Sequence, residues 1–165
     1  MEVTKKMMAE FTANINTNIK QLTELFKAYD LANLGYEMQE ERCKECYNEA
    51  LKTTPFYAAE DCERCGVKAG DRITDDGLAF LLSDEEFNRY MDVSLPILER
   101  EGITDATGEY CENWLMMKCD ARRALVDFII DSILPDDIRA QFSAVRLNVT
   151  QTDKLLTIVR PIVAA

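Results

Sequence analysis

Two C-x-x-C pairs, Cys43/Cys46 and Cys62/Cys65, stand fifteen residues apart in a chain that has six cysteines and no histidine. Zn²⁺ takes four tetrahedral ligands, with thiolates at about 2.3 Å, and this spacing is close to that of four-cysteine structural sites. The expectation is one structural zinc ion held by Cys43, Cys46, Cys62 and Cys65. Other chemistries use the same residues. An iron–sulfur cluster takes similar ligands. In an oxidising compartment the pairs could form two disulfides. Cys62/Cys65 could act as a thiol redox pair, although the βαβ unit of a thioredoxin-like site is not evident. The thiols could also simply pack.

The second pair is the better half of a metal site. Cys62-Glu63-Arg64-Cys65-Gly66 resembles the knuckle of a zinc ribbon, in which glycine permits a tight turn that aims amide groups at the sulfurs. The first pair, Cys43-Lys44-Glu45-Cys46-Tyr47, lacks that glycine and reads as helix. The resemblance covers about two dozen residues and implies a metal, not an activity. Arg42, Lys44, Arg64 and Lys68 flank the pairs and could offset the charge of a tetrathiolate ion. Cys111 and Cys119, eight apart with Leu115 between them, are expected to be small buried hydrophobes on one side of a long helix. Trp114, Met116 and Met117 are likewise expected in the core or at a helix–helix contact.

The absence of histidine removes Ser-His and Cys-His nucleophile pairs, His-ligated catalytic zinc and imidazole acid–base chemistry. A closed Cys₄ site leaves no open position for substrate. Neither a phosphate-cradling glycine loop nor a placeable carboxylate motif is evident, so the chain does not read as an enzyme.

The elements that must position these thiols are mostly helical. Val3, Met7, Phe11, Ile15, Ile19, Leu22, Phe26 and Tyr29 recur every three or four residues, which predicts one long amphipathic helix stopped near Gly35. Asn14, Asn16 and Asn18 are poor helix formers within it. A second helix is expected over about 36–52, and a third from Phe56 to Cys65 behind Thr54-Pro55, closed by Gly66. Ser83 and Glu86 form a capping box for a helix to about Glu101, with a kink or break at Pro96. A long helix over about 109–134 carries ALVDFIIDSIL as the central core, and Pro135 breaks it. Val145, Leu147 and Val149 alternate with polar residues, so 145–165 reads as a short β-hairpin or extended arm.

The fold class expected is therefore mostly α: a helical-bundle-like single domain over 1–165, with a zinc-binding helical hairpin at 36–68 and a C-terminal arm. No apolar run spans a membrane, and the first residues do not read as a signal peptide, so the expected location is intracellular. One sequon, Asn148-Val149-Thr150, points weakly the other way.

The net charge is −11. Residues 36–66 carry 4 basic and 8 acidic side chains, and residues 67–107 carry 4 and 10, so the acidity lies in the middle. That sign opposes direct binding to nucleic acid or anionic membrane. The first functional expectation is a non-enzymatic subunit of a larger assembly, such as a virion or other multi-chain particle, partnered by protein or by copies of itself. The alternatives are an acidic inhibitor or DNA mimic that docks on a basic nucleic-acid-binding protein, and a thiol redox protein using Cys62/Cys65.

Overall fold

The computed structural model describes residues 4–142 and 147–164. It is mostly helical, and no strand forms among the described residues. The helices are α1 (Lys5–Thr17), α2 (Ile19–Thr53), α3 (Asp84–Arg100), α4 (Trp114–Phe128), α5 (Asp136–Phe142) and α6 (Val149–Ala164). A 3₁₀ turn covers Asp76–Leu81, and a π turn covers Ile129–Ile133. The chain divides into two compact units, Met1–Leu34 with Trp114–Ala165, and Gly35–Asn113.

In the first unit the expected long N-terminal helix is interrupted at Asn18. The Asn18 side chain donates to the Asn14 carbonyl at 2.8 Å, and its φ of −110° lies outside the helical range. A short amide that bonds to nearby backbone competes with the helical ladder. Asn14 is used too: its Nδ2 donates to the Ile133 carbonyl at 3.0 Å, where the π turn leaves that group without a helical partner. α2 does not stop at Gly35 but runs through it to Thr53.

Ile15, Leu22 and Phe26 pack with Leu125, Val126, Ile129 and Ile133, and with Leu156 and Val159 of α6. This cluster explains why the tail is neither strand nor loose arm. Leu156 and Val159 both turn inward at helical spacing, with Leu155 and Val163 packed beside them, while Ile158 and Ile162 are exposed. Asn148 starts α6 with a reciprocal cap. Its Oδ1 accepts from Gln151 N at 2.9 Å, and the Gln151 side chain accepts from Asn148 N at 3.0 Å. Val145 and Arg146, part of the strand reading, lie outside the described residues.

In the second unit α2 presents Cys43, Cys46, Tyr47, Ala50 and Leu51 inward, and α3 presents Tyr90, Ser94 and Leu98. α3 runs through Pro96 without a break. Ser83 caps it by accepting from Glu86 N at 3.2 Å, but the Glu86 carboxylate pairs with Arg89 at 2.7 Å rather than completing the box.

No helix forms over 56–65. Instead the segment from Phe56 to Ile73 folds back on itself, with antiparallel bridges at Tyr57/Arg72 and Cys62/Val67. Phe56 is fully buried and Ala58 nearly so, while Tyr57 and Ala59 beside them are exposed. That alternation suits extended chain rather than helix. The hairpin expected at 36–68 is therefore not a helical one: its first half belongs to α2 and its second is a tight turn of extended chain.

Candidate functional site

The four expected zinc ligands are not brought together. Cys43 and Cys46 are buried in α2 against Leu98 and Ile103. Cys62 packs instead at the edge of the Ala50–Phe56–Tyr90 cluster, and Cys65 is exposed. Among the described residues, no group of three or more His, Cys, Asp or Glu side chains lies close enough to hold a metal ion. In this arrangement the four thiols do not share one site.

The two pairs also differ electrostatically. Burial pushes the Cys43 thiol up, against a hydrogen bond with Tyr110 that lowers it. Burial raises Cys46 as well, reinforced by the Glu101 charge. Cys65 is raised chiefly by its hydrogen bond with Cys62. A buried neutral thiol behaves as a small hydrophobe, not as a nucleophile or metal ligand. Cys111 and Cys119, expected to be buried, are both exposed, and only Cys119 is helical, because α4 begins at Trp114.

A polar network lies behind the thiols that the sequence pattern did not reveal. The buried Tyr90 donates its hydroxyl proton to Asp76 Oδ1 at 2.7 Å, and Asp76 N donates to Asn48 Oδ1 at 2.8 Å. Tyr90 also meets Phe56 edge-on, with centroids 5.4 Å apart, and Tyr47 at 5.7 Å. Burial and the Asp76 carboxylate hold the Tyr90 phenol far above its ordinary value. Tyr47 is pushed up to about 12, mainly by burial. Phenols locked in the protonated form serve as hydrogen-bond donors and packing groups, so the network is structural in chemistry.

Residues 104–110 form a second turn. Asp105 Oδ1 accepts from Thr107 N at 2.8 Å and from Thr107 Oγ1 at 2.6 Å, and Thr104 bridges Tyr110. The Asp-Ala-Thr-Gly string carries the turn chemistry for it.

Charge separates the units. Gly35–Asn113 holds 8 basic and 20 acidic residues, net −12; the remainder of the chain holds 11 and 10, net +1. Large apolar side chains are also exposed at the start of α4. Leu115, Met116 and Met117 are 50%, 59% and 47% exposed, so these methionines are not in the core.

No helix among the described residues is long and apolar enough to cross a membrane. The chain matches no family model, and neither the curated proteins nor the solved structures contain a significant match to it.

Proposed function

We propose that this chain is a non-enzymatic interaction subunit of a larger protein assembly. The carrying observation is the run Leu115-Met116-Met117 in the first turn of α4, half-exposed at three successive positions. Successive helical residues point about 100° apart, so no single internal face can cover all three. Methionine is unbranched and adapts to irregular partner surfaces. Covering one such side chain is worth roughly 1.5–3 kcal/mol before ordering costs.

The test is the triple change Leu115→Gln, Met116→Gln and Met117→Gln in the full chain. Association, followed by native mass spectrometry and by pull-down from the source cell, should weaken at least about tenfold, which corresponds to about 1.4 kcal/mol. Folding stability should shift by no more than about 0.5 kcal/mol, as for other exposed positions.

A second reading rests on a different observation, the net −12 of residues 35–113. A surface of that sign steers toward a basic partner such as a nucleic-acid-binding protein, with salt-sensitive binding. Replacing Asp84, Glu85 and Glu86 with serine separates the two. If that change abolishes binding, binding fades with salt, and the triple glutamine variant still binds, the acidic reading displaces the first.

A further inference from the structure

We propose that Cys62 and Cys65 are a redox-active dithiol that closes to an intramolecular disulfide, while Cys43 and Cys46 remain packed thiols. The two pairs share a spacing and nothing else. Cys43 and Cys46 stand at i, i+3 in a helix interior, where β-carbons are about 5–6 Å apart. A disulfide needs about 3.5–4.5 Å between them. Closing that pair would unwind α2, and both thiols are buried from any oxidant.

Cys62 and Cys65 lie in a turn instead. Cys62 and Val67 exchange backbone hydrogen bonds at 2.7 and 3.1 Å, which fixes the base of the turn. Gly66 N donates to the Glu63 carbonyl at 3.2 Å, and Gly66 takes φ +70°, a conformation glycine adopts without strain. The turn thereby folds Cys65 back toward Cys62, near enough that Cys62 raises the Cys65 thiol above its ordinary value. Nothing lies within 4 Å of where a β-carbon would stand on Gly66, so the tip is open to a small reagent. Cys65 is exposed and Cys62 half-buried, which assigns attack to Cys65 and resolution to Cys62.

The oxidant is a small-molecule disulfide. The Cys65 thiolate attacks one of its sulfurs, the first small thiol leaves, and a mixed disulfide forms. The Cys62 thiolate then attacks Sγ of Cys65 and the second small thiol leaves. Two electrons pass from the cysteines to the small disulfide, and the two cysteine protons end on the two released thiols.

The experiment incubates the full folded chain in buffers of stepped reduced-to-oxidised glutathione ratio, quenches with acid, alkylates and maps peptides. The expected result is a peptide spanning Cys62–Cys65 lighter by two hydrogens, restored by reductant and lost in Cys65→Ser. Cys43 and Cys46 should resist alkylation until the chain is unfolded. Because Cys65 is exposed, Cys65→Ser should keep the wild-type circular dichroism spectrum. A disulfide joining one pair to the other overturns the proposal, as does an unlinked Cys62–Cys65 peptide at every ratio. One zinc per chain in the reduced protein, released by Cys65→Ser, overturns it in favour of a metal site.

Discussion

In the first unit Ile129 and Ile133 sit at the centre of a cluster whose fully buried members are all apolar, drawn from α1, α2, α4, the π turn and α6. In the second unit the corresponding place belongs to Tyr90, held by Phe56, Tyr47 and a carboxylate. The first core is built from helices and one π turn and depends mainly on area removed from water, with Arg160 4.7 Å over the Phe26 ring as a directional contact. The second must also close two turns and retain 20 acidic residues, and it uses directional contacts to do so. Arg89 makes three of them. Its guanidinium lies 4.2 Å over the Phe56 ring, donates to the Pro55 carbonyl at 3.1 Å and pairs with Glu86. The difference teaches that one chain can hold two units by two balances of forces, which should respond to different perturbations.

The largest effects should come from emptying each core. Ile129→Ala should cost about 2–5 kcal/mol and Phe56→Ala about 3–5 kcal/mol. Hydrogen exchange should show Ile129→Ala opening residues 5–34 and 114–142 first, and Phe56→Ala opening residues 54–98 first. If either change lowers protection equally in both units, the cores are not separate and the comparison breaks.

Alkali should act more selectively. Tyr47 ionises near 10 when unfolded but is pushed up to about 12 when folded. The folded chain therefore keeps a proton that the unfolded chain loses. Stability from this source is complete below about pH 10 and falls as pH rises toward 12. The raised thiols of Cys43 and Cys46 begin the same loss from about pH 9. All three groups lie in the second unit. The sole tryptophan, Trp114, lies in the first. Tyrosinate absorbance together with loss of exchange protection over 43–98 should thus precede any change in Trp114 fluorescence. A tryptophan change at the same pH or earlier would contradict the assignment.

The smallest effects sharpen the contrast. Asn148→Ala removes the cap of α6 in the first unit, and Ser83→Ala removes that of α3 in the second. Each should cost about 1 kcal/mol by chemical denaturation. Equal costs would show that local capping is indifferent to which balance holds the unit.

Much of the helical fold is legible in the residues. Periodicity places the N-terminal stripe and the ALVDFIIDSIL core, and Ser83 marks the start of α3. The departures have physical causes. Thr54-Pro55 carries a helix start, but Phe56 and Ala58 alternate inward with Tyr57 and Ala59 outward, and tertiary burial overrides the local signal. The tail resembles a strand because Val145, Leu147 and Val149 alternate. The reciprocal cap between Asn148 and Gln151, followed by inward Leu156 and Val159, is the stronger evidence for helix and is present in the sequence. The cysteine pairs differ from expectation for another reason. C-x-x-C spacing keeps the two cysteines of a pair near each other, but only the path of the whole chain decides whether two pairs meet.

The π turn at Ile129–Ile133 bears on how the chain tolerates changes of length. Leu134 N donates to the Ile129 carbonyl at 3.0 Å, five residues back, so this turn holds one residue more than an α-helical turn. A single residue inserted into a helix normally rotates everything beyond it by about 100°. Here the extra residue is absorbed locally, and Ile133 still faces the core. Deleting the exposed Asp131 should therefore return the segment to an ordinary helix with α5 still in register, whereas a deletion at Ala124 should misplace Leu125, Val126 and Ile129 together. Chains one residue shorter at this point would be expected to share the unit.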